Sequence, residues 1–369
     1  MKVLVIGGTG PSGPYLLRGL LDRGHDVTIL HRGVHEPDDL PPVRHIHADP
    51  HFEATLGPAI GLATYDVVFA LYARLEVTAR VLAGRCGRII GVGGRPIYAG
   101  YLDPASVFPR GMRVLADEDS PLADPDRGTD PRTAGFVARM RAAEAALFQS
   151  HPSATLFRYP YVYGRRALGT LEWSAIKRIR DGHRAINLPQ GGVAVSTRCA
   201  AENAAHHLLL ALDRERASAG EVFNCADDRQ YSLAQWVELI AAEMGARLRV
   251  VDVPDALRWT VSHFLVLAGS VSDTGLIDNA KAKRVLGYRD VVAPEAALAD
   301  AVRWYVANPV DWQRDPNYPD RFDYALEARV RAALDRLERE FSGENPHQLP
   351  VHSYAHPKAA SLGTDDKGR

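Results

Sequence analysis

Residues 1–13 read MKVLVIGGTGPSG, a short apolar run that ends in a Gly-x-x-Gly-x-x-Gly pattern. The apolar run predicts a strand buried on both faces. The first two glycines allow a tight turn whose backbone can closely approach a pyrophosphate, and the third lets the following helix pack against the strand. A helical pattern over residues 15–23 and a second strand over residues 26–30 follow at the spacing of a β-α-β unit. This context predicts a dinucleotide-binding turn formed by Gly7, Thr9, Gly10, Pro11, Ser12 and Gly13.

Strand-like and helix-like segments alternate through the N-terminal part of the chain. Strands are predicted at residues 2–6, 26–30, 43–47, 66–71, 88–92 and 154–159, and helices between them include residues 76–83 and 136–148. Alternation of this kind is typical of an α/β fold, here a Rossmann-type doubly wound parallel sheet.

The pattern changes after about residue 170 to shorter mixed elements, with helices predicted at residues 232–244, 280–286 and 294–306. We therefore predict a dinucleotide-binding domain over residues 1–168 and a smaller mixed substrate-binding lobe over residues 169–341, with some chain crossing back to the first domain. Residues 342–369 are rich in Pro, His, Gly and Asp without a period, which predicts a flexible tail.

The composition is that of an ordinary globular protein, with 46% hydrophobic and 24% charged residues. A formal net charge of −1 gives no bulk attraction to nucleic acids or acidic membranes, so neither is expected as a partner. Cys86, Cys199 and Cys225 are far apart in the chain and lack zinc-ligand spacing. Two of them lie in apolar or small-residue surroundings and are predicted to be packing residues, and a reducing cytoplasm is favoured. No signal peptide is expected, and the apolar stretch at residues 259–271 is too short to span a bilayer.

The end of the second strand bears on the choice between NAD and NADP. NAD-dependent enzymes usually place a carboxylate there for the ribose 2′-hydroxyl, whereas this chain has His31 and Arg32. The guanidinium of Arg32 could pair with a 2′-phosphate, so NADP(H) is favoured over NAD, although a solvated loop cation is the alternative. Asp49 is predicted to meet the adenine amino group, and Leu71 completes the predicted cofactor site.

A group of histidines after the second strand raises the question of a metal. His45 and His47 share one face of the predicted third strand, while Asp49 and His51 already lie in the following turn. Because the spacing fixes no fourth ligand, a surface histidine cluster without a metal is expected.

Three later segments, at residues 66–73, 158–164 and 278–287, carry a family resemblance together with the glycine turn. They read DVVFALYA, RYPYVYG and DNAKAKRVLG, and they resemble the extended short-chain dehydrogenase/reductase family, specifically its NAD-dependent epimerase/dehydratase group. Within it, the chain is most similar to the branch of bacterial epimerase-like proteins and plastid stem-loop RNA-binding proteins. The resemblance implies a nicotinamide cofactor, a small-molecule substrate such as a nucleotide sugar, and homodimerisation through the helices at residues 76–83 and 136–148.

The family's catalytic set does not occur in this chain. The family has a Ser or Thr after strand five and a Tyr-x-x-x-Lys on the next helix, in which the Tyr transfers a proton and the Lys lowers its pKa. Gly94 stands at the Ser position, Phe136 at the Tyr position and Met140 at the Lys position. None of these side chains can transfer a proton.

A substitute donor is therefore sought among nearby tyrosines. Tyr161 is the first choice, because segments of this type pass beside the nicotinamide, and Tyr98 is the second. Tyr159 and Tyr101 are further candidates, and for each of the four the alternative is a packed or surface aromatic residue.

These observations favour an atypical NADP(H)-dependent reductase or epimerase that acts on a carbonyl/hydroxyl centre of a small molecule. Two alternatives stay open, namely a non-redox isomerase, cyclase or lyase with a structural cofactor, and a non-catalytic NADP-binding sensor or scaffold. An apolar pocket would suit a hydrophobic substrate, whereas a nucleotide sugar is what the family implies. Its diphosphate could be held by basic residues that a solvated helix face would explain equally well: Lys177, Arg178, Arg180 and Arg184.

Overall fold

The computed structural model describes residues 1–34, 36–71, 74–128, 130–167, 171–261, 275–310 and 322–342. Residues 1–323 form one compact unit and residues 324–369 a second. The described part of the second unit contains a single helix, Tyr324–Phe341. The predicted tail lies almost wholly outside the described residues, as does most of the apolar stretch at residues 259–271.

Eleven strands occur in the described residues. In chain order they are β1 Lys2–Ile6, β2 Asp26–His31, β3 Arg44–His47, β4 Tyr65–Ala70, β5 Cys86–Gly94, β6 Thr155–Tyr159, β7 Tyr161–Tyr163, β8 Ala185–Pro189, β9 Arg198–Ala200, β10 Val222–Asn224 and β11 Arg249–Val253. Seven of them form one parallel sheet in the order β10-β6-β5-β4-β1-β2-β3. Two smaller parallel pairs, β11-β8 and β7-β9, lie outside it. The predicted doubly wound Rossmann-type sheet is thus confirmed, and the chain order reverses between β1 and β4.

Ten α-helices are found in the described residues. They are α1 Gly13–Asp22, α2 Glu53–Ile60, α3 Leu75–Val81, α4 Pro131–Ser150, α5 Leu171–Arg180, α6 Ala201–Asp213, α7 Glu215–Ser218, α8 Leu233–Glu243, α9 Pro294–Ala307 and α10 Tyr324–Phe341. The segment predicted as a helix at residues 280–286 contains a π-helical turn, Ala282–Leu286.

The first strand shows why the sheet is covered on both faces. Val3 and Val5 point into one apolar cluster, while Leu4 and Ile6 point into another, and all four are fully buried. The first cluster contains residues of α1 and α6, and the second contains residues of α2, α3 and α4. Alternate side chains of a strand face opposite sides of a sheet, so a continuous apolar run needs helices on both.

The chain returns to the sheet late, through the three residues of β10. Phe223 pairs with β6, which leaves the Val222 carbonyl and the Asn224 amide on the outer side of the strand. The Lys281 ammonium donates to the Val222 carbonyl at 2.8 Å, and the Asn224 amide donates to the Glu118 carboxylate at 2.6 Å. Side chains therefore occupy the outward hydrogen-bonding groups at this edge.

The region after β6 contains the two small sheets and α5, α8 and α9. The predicted smaller mixed lobe stays a prediction, since residues 1–323 form one compact unit. The division at residues 168 and 341 stays a prediction. Among the helices of the described part, none combines the length and apolar character needed to cross a bilayer.

Candidate functional site

The glycine turn lies at the carboxyl end of β1, beside the point where the strand order reverses. Gly7 and Gly8 have φ of 91° and 84°, a region that L side chains rarely adopt. A Cβ on Gly13 would lie 1.8 Å from the Gly8 carbonyl oxygen, so the helix and the turn touch backbone to backbone. A Cβ on Gly10 would meet no atom within 4 Å. Open space above Gly10, at the N-terminus of α1, fits the close approach of a phosphate.

The other predicted cofactor residues follow the carboxyl ends of β2, β3 and β4. Arg32 is exposed immediately after β2, and Leu71 is half-buried immediately after β4. The Asp49 carboxylate accepts hydrogen bonds from the amide and ring of His51, at 2.9 and 2.8 Å, which lower the pKa of Asp49.

The side chain of His31 is buried, with 4% exposure, and is turned towards β3. Its Nε2 lies 2.9 Å from His45 Nδ1, and its Nδ1 accepts from the Gly33 amide at 3.1 Å. Both ring nitrogens therefore already have protein partners.

Two of the three positions that the family resemblance assigns to catalytic residues, Gly94 and Met140, lie close together. A Cβ on Gly94 would lie 3.4 Å from Met140 Cε, as the alignment with the family's Ser and Lys requires. The ring of Phe136, one helical turn before Met140, is 41% exposed. Farther along the same helix, Glu144 forms a buried ion pair with Arg158, with Arg158 Nη2 and Glu144 Oε2 2.9 Å apart. The helix is thus held by a buried ion pair, and neither Phe136 nor Met140 carries a group that can transfer a proton.

Tyr98 lies in an enclosed hydrogen-bond network. Its side chain is 1% exposed, and its hydroxyl donates to Asn224 Oδ1 at 2.7 Å and accepts from Arg158 Nη1 at 3.0 Å. Burial raises the pKa of Tyr98 to about 12. The hydroxyl of Tyr101 accepts from Arg95 Nη2 at 2.5 Å. Both tyrosines after β5 are therefore tied to arginines.

Tyr161 is half-buried and pairs with a carboxyl group that sequence reasoning missed. Its hydroxyl donates to Glu172 Oε2 at 3.0 Å and accepts from the Leu171 amide at 3.1 Å. Glu172 is fully buried, and desolvation raises the pKa of Glu172 as well as that of Tyr161. The neighbouring Tyr159 hydroxyl donates to the Ala204 carbonyl at 3.0 Å.

Two further residues complete the surroundings of Glu172. Trp236 Nε1 donates to Glu172 Oε1 at 3.3 Å, and the Arg198 guanidinium lies over the Trp236 ring at 4.7 Å. Burial lowers the pKa of Arg198 to about 10, with the Glu172 charge acting in the opposite direction. The one available signal was a glutamate inside the otherwise apolar start of α5, beside Trp173.

Two of the three cysteines, which are distant in sequence, are adjacent in the fold. Cys199 and Cys225 are fully buried with their sulfur atoms 3.5 Å apart, and His207 lies beside them. The expectation of packing residues fits their burial, but their separation along the chain concealed the contact. Burial lowers the pKa of His207 to about 3, and its ring stacks on Tyr288 at a centroid distance of 3.5 Å.

The three basic residues of α5 all have protein partners, and so does Arg184, which follows the helix and donates to the His183 carbonyl at 3.1 Å. Lys177 pairs with Asp181 at 2.5 Å, Arg178 donates to the Ser174 carbonyl, and Arg180 donates to the Val306 carbonyl. Binding of a diphosphate at this helix stays a prediction.

Comparison with known proteins places this geometry in context. No family model matches the chain. A 3-diazoavenalumate denitrifying reductase of Streptomyces sp. is 26% identical over 310 residues, which cover 78% of this chain and 96% of that protein.

Solved structures share the fold at lower identity. The UDP-glucose 4-epimerase of Thermotoga maritima, solved with UDP-glucose, has a TM-score of 0.64 at 17% identity and covers 84% of this chain and 99% of its own. The dTDP-glucose 4,6-dehydratase of Bacillus anthracis, solved with NAD, has a TM-score of 0.64 at 16% identity, with coverage of 84% and 97%.

The chain thus shares its fold with a solved nucleotide-sugar epimerase and a solved dehydratase, the kinds of protein that the family resemblance names. In sequence it is similar to a reductase along nearly the whole length of that protein. The narrower resemblance to the plastid branch stays a prediction.

Proposed function

We propose that this chain is an NADP(H)-dependent reductase-type enzyme that acts on a small molecule without the usual Tyr-x-x-x-Lys. The observation that carries this proposal is the glycine turn at the carboxyl end of β1, beside the reversal of strand order between β1 and β4. In this turn Gly13 has no room for a side chain, and Gly10 borders open space. Ligands of doubly wound sheets bind at such a reversal of strand order. When bound, a nicotinamide cofactor supplies a hydride.

The preference for NADP(H) rests on the residues after β2. Arg32 is exposed, and residues 30–33 at the strand end include no Asp or Glu for a ribose 2′-hydroxyl. His31 can contribute through its backbone, since its ring is turned away towards His45. Asp49 and Leu71 remain our candidates at the adenine end.

Of the two tyrosines, Tyr161 is our proposed proton donor for a carbonyl substrate. Tyr98 is nearly inaccessible, whereas Tyr161 is half-buried and donates to a carboxyl group. Because burial raises the pKa of Glu172, this carboxyl group holds a proton more readily and can return one to Tyr161 after a transfer.

We propose diazonium compounds as a second substrate class, because their reduction needs no proton donor. Gly94, Phe136 and Met140 leave no proton donor where the family protonates a substrate oxygen. Replacing the diazonium group of a substrate by hydrogen needs no such donor, because the C–N bond electrons leave with dinitrogen. The relative named as a denitrifying reductase for a diazo compound supports this class.

Gly10→Ala and Gly13→Ala form a matched test of cofactor binding. We expect Gly10→Ala to fold with the stability of the wild type, because its Cβ meets no atom, and to lose NADPH affinity at least tenfold, because the Cβ occupies the phosphate approach. Gly13→Ala is expected to lose stability, since its Cβ collides with backbone. Fluorescence titration with NADPH and thermal unfolding measure the two effects. A Gly10→Ala protein that binds NADPH normally would contradict the proposed site.

The chemistry is tested by following the nicotinamide absorbance with carbonyl compounds, sugar nucleotides and aryl diazonium salts. Tyr161→Phe should abolish carbonyl reduction but leave diazonium reduction unchanged, and Tyr101→Phe, whose hydroxyl is held by Arg95, is the matched control. Tight NADPH binding without oxidation by any substrate would favour the non-redox enzyme or the sensor. The predicted homodimer through α3 and α4, which pack against each other, can be checked by measuring the mass in solution.

A further inference from the structure

Three histidines from two neighbouring strands and one glutamate converge at the β3 edge of the sheet. In the parallel register of β2 and β3, His31 lies opposite His47, and Ile29 lies opposite His45. Because side chains alternate between faces, His31, His45 and His47 share one face of the sheet. Glu36 reaches them from the connection between the two strands. We call these four residues the His₃Glu cluster.

The ligand atoms of the His₃Glu cluster all lie within 4.8 Å of one another. His31 Nε2 is 2.9 Å from His45 Nδ1, and Glu36 Oε1 is 2.9 Å from His47 Nε2, 3.5 Å from His31 Nε2 and 3.7 Å from His45 Nδ1. Four ligands bound tetrahedrally to Zn²⁺ at about 2.0–2.1 Å would be about 3.3–3.4 Å apart, in the middle of this range. The three rings meet edge-on, with interplanar angles of 76°, 78° and 83°.

From this convergence we propose that the His₃Glu cluster binds a divalent first-row metal ion, with Zn²⁺ as the best fit to three imidazoles and one carboxylate in tetrahedral array. The proposal departs from the expectation of a histidine cluster without a metal. That expectation rested on the lack of a fourth ligand, and the structure supplies two more, His31 from β2 and Glu36 from the β2–β3 connection. It does not depend on the proposed function.

Binding changes the protonation of His31. The Gly33 amide donates to Nδ1 of His31, so the neutral ring carries its proton on Nε2 and donates it to His45 Nδ1. Coordination of the neutral ring through Nε2 requires its proton to be carried on Nδ1 instead, which displaces the Gly33 amide from that atom. The metal then replaces the hydrogen bond between the two rings.

The test is a competition titration of purified, metal-stripped protein with Zn²⁺ and a chromogenic chelator. His47→Ala and Glu36→Gln should each lower the affinity for one Zn²⁺ per chain at least tenfold. The side chains of His47 and Glu36 are 58% and 42% exposed, so neither substitution disturbs the core. His51→Ala, which removes the neighbouring histidine outside the cluster, is the matched control and should leave the affinity unchanged.

Co²⁺ separates this site from the buried pair of Cys199 and Cys225. Cobalt in the His₃Glu cluster gives d–d absorption without the intense near-ultraviolet band of thiolate ligation. Failure to bind Zn²⁺, equal affinity in wild type and His47→Ala, or a thiolate band that persists in His47→Ala would each overturn the proposal.

Discussion

The ion pair between Glu144 and Arg158 should be a main determinant of stability beneath the candidate site. Both residues are buried, with 9% and 4% exposure, and the closest N–O distance is 2.9 Å. At this distance and an effective dielectric constant of 20, the Coulomb attraction is about 6 kcal/mol, part of which desolvation offsets. Arg158→Met leaves a buried carboxylate without its partner, so we expect a loss of about 3–5 kcal/mol in the free energy of unfolding.

A double-mutant cycle measured by urea unfolding isolates this pair. Glu144→Leu should also be strongly destabilising, whereas the double variant should lose much less than the sum of the two, because no charge is left buried. The exposed pair Arg80 and Glu76, 2.6 Å apart at helical i,i+4 spacing, is the control and should give a coupling energy of at most about 0.5 kcal/mol. Additive effects of Arg158→Met and Glu144→Leu, within about 0.5 kcal/mol, would refute the reasoning.

Three further predictions concern single residues. Arg32→Ala should weaken NADPH binding about 10- to 100-fold and leave NADH binding unchanged, since only NADPH carries the 2′-phosphate. Titration with both cofactors measures this, and an equal loss of affinity for the two would exclude the pairing of Arg32 with the 2′-phosphate. His207 has a pKa of about 3 in the folded protein against about 6.5 unfolded, so the unfolded chain binds more protons and stability is lost as the pH falls through this window. Between pH 7 and pH 4.5, the free energy of unfolding of the wild type should fall by about 2–3 kcal/mol more than that of His207→Phe. An equal fall in both proteins would contradict this. Tyr98→Phe should cost about 1–3 kcal/mol of stability with kcat unchanged, and a selective loss of kcat would instead make Tyr98 the proton donor.

The sequence was sufficient for six of the seven strands of the main sheet because each of them carries a local signal. Apolar runs bounded by glycine or polar residues, and for β3 the mixed segment at residues 43–47, predicted β1 to β6 to within about two residues of their observed ends. The remaining strand of the main sheet, β10 (Val222–Asn224), was not predicted, since three residues are too few to show a periodic pattern. Only its pairing with β6 identifies it as part of the sheet.

In the candidate site, too, some features have a local sequence signal and others depend on contacts between distant segments. The alignment with the family's register predicts that the catalytic set is absent, and this stays a prediction; the proximity of Gly94 and Met140 is compatible with that alignment. The hydrogen bond between Tyr161 and Glu172 could not be predicted, because the two residues lie in different elements and no sequence spacing indicates that they are in contact. The His₃Glu cluster could not be predicted for a related reason. The register of β2 and β3 places His31 beside the other two histidines, and the connection between the strands places Glu36 there.

The side-chain contacts on β10 have a consequence for self-association. An exposed strand edge invites another chain to add a strand through backbone hydrogen bonds. Here the carbonyl of Val222 and the amide of Asn224 are already satisfied by Lys281 and Glu118, so an incoming strand would have to displace two charged side chains. The sheet cannot be extended at this end without that exchange.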